Sequence, residues 1–530
     1  MTMNRRNLLR ASGAALAAPL MSAPALAQPA GRVLRFVPHA NLTVLDPVWT
    51  TAYITRNHGY LVFDTLYGYG ADLQPKPQMA AGHTVSGDQL TWTFTLRDGL
   101  RFHDGEKVLA RDCVASLRRW SSRDSFGQSL AAATEEMTAL DDTRFSIRLK
   151  RPFPVMLDAL CRVNGAFIMP DRLARADGFT QLREVVGSGP FRFVPEGFNP
   201  GAGVTYARFE GYVPRDEAPD MLAGGKRAHF DRVEWRIMPD PATAAAALQS
   251  GEVDWVETPS VDLLPLLRRQ RQVTVQQIEL FGQITLMRVN HTQAPFNNPA
   301  FRRALWPAIN QTDCMQVIAG EDRDRWREGV GFFTPDTAMA SDAGMENLTS
   351  PRSIDAARRA IAASGYKGEK LVFLAPTDNV SLDAVSHVVG DMFRQLGLNV
   401  EIISTDWGTV VQRRTNRGPV EQGGWSALCT NIAAVDCTTP TAHAYMRGLG
   451  TNGAFGWPTM PEMETARDSW LDAPDVPTRQ AIARDMQAMA FRDVPFYPLG
   501  QYWQPAAFRQ GMSDFVRGPL PIFWNVRKNG

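Results

Sequence analysis

The sequence lacks a charge imbalance, a cysteine framework and, beyond its first residues, a long apolar run. Its 530 residues carry 56 basic and 55 acidic side chains, a formal net charge of +1. Without a basic excess, nothing draws the chain to nucleic acid or anionic lipid. Five cysteines are too few for a disulfide-built scaffold. Spacing alone leaves open whether Cys429 and Cys437 form a bond.

Sequence motifs of catalysis are missing as well. The zinc motif HExxH, the P-loop and the Gly-x-Ser-x-Gly elbow are all absent. His103 and Asp104 form the only near-cluster of metal-ligand type, and their turn setting favours turn formation over metal ligation. We therefore predict a chain that is not an enzyme and that holds no cofactor or metal.

The first 27 residues have the pattern of an export signal. Arg5 and Arg6 precede a short uncharged stretch, 11–21, which is shorter than the roughly 20 apolar residues that span a bilayer. Ala25-Leu26-Ala27 then supplies a small-x-small cleavage site. Residues 4–10 are similar to a twin-arginine signal, and a general secretory signal is the alternative. We predict cleavage after Ala27 and a periplasmic location.

Length and periodicity predict an α/β protein of two lobes. The chain exceeds the roughly 250 to 300 residues that one hydrophobic core supports. Between residues 355 and 406, helical and strand patterns alternate, with strands at 371–374 and 400–403, which implies parallel strands. Ligands in such sheets bind beyond the carboxyl ends of strands, so 404–407 is a candidate wall of a site. The alternative is a helix start capped by Thr405 or Asp406.

Other local patterns have clear boundaries. Residues 91–96 alternate threonine with Trp92, Phe94 and Leu96, which predicts a half-buried strand, and the period becomes helical from Ala110. Asp240-Pro241 opens an alanine-rich helix that Gly251 ends, and Asn298-Pro299 opens another helix.

Four segments resemble motifs of the extracellular solute-binding proteins of family 5, which serve ABC importers for peptides, nickel and other solutes. They occur in the family's order at residues 91–119, 187–193 (Gly-Ser-Gly-Pro-Phe-Arg-Phe), 247–254 (Ala-Leu-Gln-Ser-Gly-Glu-Val-Asp) and 298–305 (Asn-Pro-Ala-Phe-Arg-Arg-Ala-Leu). The resemblance extends from about Arg32 to Arg527. It implies a monomeric periplasmic protein that captures a peptide-like or other small solute by lobe closure and delivers it to an inner-membrane ABC permease. A periplasmic chaperone, or a solute sensor without transport, is the alternative.

The resemblance also implies the domain organisation. The fold would be a two-lobed periplasmic binding protein of type II, similar to cluster C, with an extra subdomain in lobe 1. Lobe 1 would comprise residues 32–285, with the subdomain inserted at about 76–185. Lobe 2 would comprise 286–499, and residues 500–530 would return to lobe 1.

Peptide-binding members of the family place a tryptophan segment in the cleft, and an aspartate three residues later pairs with the peptide's α-amino group. Here the matching tryptophan is Trp425, and Leu428 stands where the aspartate belongs. An uncharged leucine cannot neutralise a buried ammonium, so we predict that the usual anchor is lost. Asp436 would replace it if its loop folds back, although an exposed loop aspartate is the favoured interpretation.

Further ligand-facing positions are implied by the same resemblance. Core packing is the alternative at each of them. They are Asn41, Asp46, Trp407, Gly424, Trp425, Ser426, Tyr502 and Trp503.

Overall fold

A computed structural model describes residues 32–529. The predicted leader, residues 1–27, therefore lies outside the described residues. No helix in the described part is both long and apolar enough to cross a bilayer.

Twenty-one strands form within residues 32–529. They are β1 (Val33–Val37), β2 (Tyr67–Tyr69), β3 (Pro75–Pro77), β4 (Ala80–Val85), β5 (Thr91–Leu96), β6 (Thr134–Ala139), β7 (Arg144–Leu149), β8 (Phe191–Asn199), β9 (Gly203–Arg208), β10 (Arg232–Arg236), β11 (Trp255–Val256), β12 (Val273–Gln276), β13 (Gln283–Val289), β14 (Trp326–Arg327), β15 (Leu371–Pro376), β16 (Val400–Thr405), β17 (Ala427–Ala433), β18 (Phe496–Tyr502), β19 (Ala506–Arg509), β20 (Met512–Ser513) and β21 (Arg527–Lys528).

Fifteen α-helices accompany these strands in the same described range. They are α1 (Tyr53–Val62), α2 (Ala110–Ser121), α3 (Ser125–Ala133), α4 (Met156–Leu160), α5 (Asp171–Ala174), α6 (Pro241–Ser250), α7 (Leu264–Arg268), α8 (Pro299–Ala304), α9 (Gln311–Ala319), α10 (Glu346–Thr349), α11 (Ile354–Ala363), α12 (Val380–Gln395), α13 (Trp407–Arg413), α14 (Pro461–Asp472) and α15 (Val476–Asp493).

A seven-stranded sheet forms the framework of the first lobe. Its strand order is β12-β19-β11-β1-β10-β9-β8. The central strand β1 runs parallel to β10 and β11, whereas the other pairs are antiparallel. Phe36 on β1 is fully buried and packs edge-on against Trp255 and Phe523, with ring centroids 4.9 Å apart in both pairs. This aromatic cluster anchors the C-terminal segment to the sheet.

A separate four-stranded sheet, in the order β4-β5-β7-β6, lies within the first-lobe sequence. On β5, Phe94 and Leu96 are buried and Trp92 is half-buried, which confirms the predicted strand. Helix α2 follows from Ala110, as predicted, and packs on β6 and β7. The buried side chains of these elements belong to one apolar cluster with those of the second lobe.

A six-stranded sheet forms the framework of the second lobe, in the order β14-β18-β13-β17-β15-β16. Strand β15 pairs in parallel with β16 and β17, which confirms the parallel strands predicted from the alternating pattern. Helix α12 crosses between β15 and β16 and packs on β15 and β17. The carboxyl ends of β15, β16 and β17 consequently lie at one edge of this sheet.

Two short segments connect the sheets. The first connection, residues 277–282, joins β12 to β13, and the second, residues 503–505, joins β18 to β19. The connections touch, because the Trp503 Nε1–H group donates to the Leu280 carbonyl at 3.3 Å. The lobe limits expected at residues 285 and 499 fall inside β13 and β18, a few residues from these connections.

The helix boundaries show the local signals that predict them. The Asp240 carboxylate accepts a hydrogen bond from the Thr243 N–H group at 2.7 Å, and Gly251 ends α6 with a φ of 81°. Asn298 caps α8 in the same way. Helix α8 ends at Ala304 and is followed by a 3₁₀ helix, Trp306–Ala308, in which Pro307 lacks the N–H group that a longer α-helix would use.

Candidate functional site

The two lobes meet where β17 ends. After Ala433 the chain turns through a short 3₁₀ helix, Ala434–Cys437, toward α1 of the first lobe. The Tyr53 hydroxyl accepts a hydrogen bond from the Ala433 N–H group at 2.9 Å and donates one to Asp436 Oδ2 at 3.1 Å. Asp436 is only 7% exposed. The expectation of a solvent-exposed loop aspartate was therefore wrong, because this segment folds back against the first lobe.

Asp436 of the second lobe lies among charged side chains of the first lobe. Burial raises the pKa of Asp436, and the guanidinium groups of Arg162 and Arg56 oppose that rise. Arg162 is itself buried and donates through Nε to Asp124 Oδ2 at 3.0 Å. Burial also raises the pKa of Tyr53, with a further rise from Asp436, so its neutral hydroxyl acts as a donor. Asp436 thus lies in a low-dielectric site with incomplete charge compensation.

A cavity of about 20 Å³ separates the lobes beside Asp436. Its volume suits about one water molecule, so the lobes are closed together in this structure. Residues of both lobes form its walls. They are Tyr69, Phe126, Asp158, Arg162 and Val163 from the first lobe, and Val435, Asp436, Thr438, Thr439 and Ala442 from the second.

Asp158 provides a second carboxylate on the first-lobe wall of this cavity. Burial raises its pKa, while Arg479 opposes the rise. The Tyr69 hydroxyl donates to the Asp158 carboxylate at 3.3 Å. Two carboxylates with raised pKa values therefore face this space, because burial outweighs the charges of Arg162, Arg56 and Arg479. Such an arrangement favours a cationic group over an anionic one.

Two ion pairs at the surface also bridge the lobes. Arg151 of the first lobe contacts Asp472 at the end of α14. Arg268 of α7 lies 4.0 Å from Asp322 of the second lobe. All four side chains are more than two-fifths exposed, so each pair contributes about 0 to 1 kcal/mol.

Glu279 stabilises the first connection. Its carboxylate accepts hydrogen bonds from the N–H groups of Phe281, at 2.9 Å, and Gly282. Burial raises the pKa of Glu279 to about 7, although these two hydrogen bonds and the charges of Arg56 and Arg517 oppose the rise.

The raised pKa of Glu279 predicts a pH-dependent stability. Between pH 4.5, the ordinary pKa of the group, and about 7, the folded chain keeps a proton that the unfolded chain has lost. The free energy of unfolding therefore decreases as the pH rises through this window. We expect the melting temperature to fall less across this window in Glu279→Gln than in the wild type, as measured by calorimetry in matched buffers. Glu196→Gln, at an exposed strand position, serves as the control, and equal slopes in both variants would contradict the assignment.

Tyr502 belongs to a polar network on the second sheet. Its hydroxyl accepts a hydrogen bond from Asn431 Nδ2 at 3.0 Å, and the Thr285 hydroxyl donates to Asn431 Oδ1 at 2.9 Å. Ser381, at the start of α12, completes the network. Burial raises the pKa of Tyr502 to about 12. This network lies near the carboxyl end of β17, and Tyr502 is only 2% exposed.

The residues expected around the tryptophan segment lie in the core of the second lobe. The Trp425 indole N–H donates to the Arg414 carbonyl at 2.9 Å, and the Ser426 hydroxyl accepts from the Val372 N–H group at 3.0 Å. Leu428 is fully buried in an apolar cluster with Trp425 and neighbouring side chains. Gly424 is buried too, where an added Cβ would lie 2.1 Å from the Gly418 carbonyl oxygen. None of the four lines the cavity beside Asp436.

Trp407 and Trp503 are half-buried in other surroundings. Trp407 begins α13, whose N-cap is Asp406, with the Thr409 N–H group 2.9 Å from its carboxylate. The Trp407 ring lies 5.5 Å from the Arg414 guanidinium. Trp503 lies in the second connection. Residues 404 and 405 thus end β16, and Asp406 caps the helix that follows.

Asn41 and Asp46 make structural contacts within the first lobe. The Asn41 side chain accepts from the Gly201 N–H group at 2.9 Å. Asp46 is buried and forms a two-pronged ion pair with Arg119, at 2.7 and 3.1 Å. It also accepts from the Leu182 N–H group at 2.9 Å, which leaves its carboxylate fully engaged.

All five cysteines are buried and free, so Cys429 and Cys437 are not bonded in this structure. Within residues 32–529, no group of three or more His, Cys, Asp or Glu side chains is placed to hold a metal ion.

Sequence reasoning missed most residues that form the interlobe site. Tyr53, Asp124, Asp158 and Arg162 belong to no motif and are separated from Asp436 by hundreds of residues. Asp436 did carry a signal, because it follows a strand end, where ligands of α/β sheets bind.

Comparisons with known proteins agree with this architecture. The family model described as "Bacterial extracellular solute-binding proteins, family 5 Middle" matches residues 74–452. A probable peptide ABC transporter periplasmic-binding protein, y4tO, of Sinorhizobium fredii (strain NBRC 101917 / NGR234) is 36% identical over 533 residues, covering 100% of both chains.

Solved structures show the same fold at low sequence identity. The periplasmic binding protein AgaA of A. tumefaciens R10, in complex with agropinic acid, is 19% identical, with a TM-score of 0.78 over 94% of this chain and 99% of that one. The periplasmic binding protein DppA of Helicobacter pylori, in complex with the peptide STSA, is 20% identical, with a TM-score of 0.76 over 94% and 98%. These likenesses identify a two-lobed periplasmic binding fold.

Proposed function

Since this chain belongs to the bacterial extracellular solute-binding proteins of family 5, we propose that it captures peptides with a free amino group. By family it is the substrate-binding component of an ABC importer rather than an enzyme. The ligand would bind between the lobes in the periplasm and pass to an inner-membrane permease. Names of two similar proteins refer to peptides, which supports this ligand class.

The buried carboxylate of Asp436 carries this proposal. It lies at the lobe interface, accepts one hydrogen bond from Tyr53, and has a raised pKa that signals incomplete compensation. A ligand ammonium placed beside it would supply the missing positive charge. Leu428, by contrast, is enclosed in the core, so its lack of charge does not bear on the ligand. We therefore propose Asp436 as the amino-group anchor.

We propose that the two connections act as hinges. Residues 277–282 and 503–505 are the only links between the two large sheets within residues 32–529, and they lie side by side. The lobe boundaries would then fall in these connections. Rotation about them would open the small cavity beside Asp436 to peptide size, and closure would be stabilised by contacts that only the closed form makes.

Calorimetry with matched peptides tests the ligand class. We expect the mature chain to bind one di-, tri- or tetrapeptide per molecule, and the N-acetylated form of the same peptide at least about tenfold more weakly, because acetylation removes the charge that Asp436 would neutralise. Opines, polyamines and metal ions form the comparison panel. Equal binding of free and acetylated peptides would exclude the amino anchor, and folded protein that binds no compound of the panel would count against solute capture.

The export function of residues 1–27 is a proposal that rests on the sequence alone. We propose that residues 1–27 direct export by a twin-arginine-like signal and are removed after Ala27. N-terminal sequencing of protein recovered from the periplasm should begin at Gln28, and any other start would place the cleavage site elsewhere.

A further inference from the structure

A larger cavity, of about 840 Å³, lies on the first lobe between residues 219–229 and the C-terminal segment 514–527. This volume is within the range of about 300 to 1,000 Å³ that small-molecule sites occupy. Leu280, in the first connection, forms part of its wall. It shares no lining residue with the cavity beside Asp436, so it is a separate feature of the molecule.

The rim of this groove carries an excess of positive charge. Arg227, Arg517 and Arg527 face two carboxylates, those of Asp220 and Asp514. Both carboxylates are already engaged. Asp220 contacts Lys76 and accepts from the Ala71 N–H group at 2.8 Å, and Asp514 lies 3.5 Å from Arg527. Within residues 32–529, Arg227 and Arg517 form no salt bridge, and both side chains are exposed.

His229 lies in the positive electrostatic field of the same arginines. It lies in the groove wall, half-buried. Burial lowers its pKa, and the nearby charges of Arg527, Arg32 and Arg227 lower it further, opposed only in part by Asp514. The imidazole is therefore neutral near pH 7 and able to accept or donate a hydrogen bond.

The floor of the groove is apolar. Met221 is 1% exposed, and Phe515 packs against Phe508 with ring centroids 4.4 Å apart. Leu280 adds a third apolar side chain. The groove thus combines an apolar floor with exposed guanidinium groups at its edge, a pairing typical of small-molecule sites.

We propose that this groove binds a small amphiphilic oxyanion. Its carboxylate or phosphate group would be held by Arg227 and Arg517, whose planar guanidinium groups suit two-pronged hydrogen bonding to either oxyanion. Its apolar part would lie on Phe515 and Leu280, which are half-buried. The site is a second binding site, independent of solute capture between the lobes.

Calorimetry with decanoate and decyl phosphate, both below their micelle concentrations, tests the site, and decyltrimethylammonium is the cationic counterpart. We expect one anion per chain and no binding of the cation at the same concentrations. The double variant Arg227→Gln/Arg517→Gln should weaken anion binding by roughly tenfold or more, because both charge-assisted contacts are lost. The ratio of the two anion affinities distinguishes a carboxylate site from a phosphate site.

The matched control is Arg111→Gln/Arg359→Gln, which removes two exposed arginines on α2 and α11. It should bind the anions like the wild type. Equal weakening in both double variants would mean that net charge alone causes the effect. Binding of the cation as tightly as the anions would mean that apolar contact alone causes it. Either result would overturn the site. Melting temperatures of the variants, and their peptide binding, show whether the fold and the interlobe site are intact.

Discussion

Asp436→Asn is expected to weaken the binding of a free-amino peptide by about 2 to 5 kcal/mol, the range for removal of one partner from a buried charge pair. Asparagine has the same shape and still accepts the Tyr53 hydrogen bond, so the closed geometry should be retained. Only the negative charge opposite the ligand ammonium is lost. Isothermal titration calorimetry of the wild type and the variant, with the same peptide, measures the difference directly.

Two comparisons make this test specific to Asp436. Asp406→Asn changes an exposed aspartate that only caps α13, and asparagine caps helices about equally well, so peptide affinity should not change. The N-acetylated peptide should bind the wild type and Asp436→Asn with similar affinity, since it carries no ammonium. If Asp436→Asn binds the free peptide as the wild type does, Asp436 is not the anchor.

Asp46→Ala is expected to lower the free energy of unfolding by about 3 to 5 kcal/mol, because it leaves the Arg119 guanidinium buried without its counter-charge. The side chains of both residues are at most 1% exposed, so water cannot replace the lost contact. Urea unfolding followed by circular dichroism gives the change, provided that the slope against denaturant stays constant.

An exposed ion pair provides the matched control for Asp46. Asp342 pairs with Arg484 at the surface of the second lobe, with more than half of each side chain exposed. Asp342→Ala should change stability by about 1 kcal/mol or less. If Asp46→Ala were as mild as Asp342→Ala and yet removed solute binding, Asp46 would face the ligand as the family resemblance implied.

Much of the fold could be predicted from local patterns. The strand β5, the capped helix α6 and the parallel pair β15 and β16 follow from periodicity, capping residues and alternation. The lengths of the helices and strands were harder to predict. Asn298 and Pro299 mark where α8 begins, but not that it ends at Ala304 and is followed by a 3₁₀ helix, Trp306–Ala308.

The candidate site was harder to predict, because counting residues from a tryptophan does not locate the end of a strand. Strand β17 continues through Ala433, so Leu428 lies within the sheet and its side chain enters the core. The segment first contacts the first lobe at Ala433, the last residue of the strand, and Asp436 follows. Contacts such as Tyr53 with Asp436 depend on how two lobes face each other, which no local pattern encodes.

The polar contacts between the lobes contribute to the free energy of closure. The two surface ion pairs contribute about 0 to 1 kcal/mol each, and the two hydrogen bonds of Tyr53 about 0.5 to 1.5 kcal/mol each. Together these polar contacts contribute a few kcal/mol to the closed form, to which the apolar contacts between the lobes add, and salt screens the ionic part. A ligand that contacts both lobes needs a preference of about 5.5 kcal/mol to convert a chain that is 99% open into one that is 99% closed. With the two connections as the proposed hinges, a solute that supplies this preference through contacts with both lobes would act as the latch of the closed form.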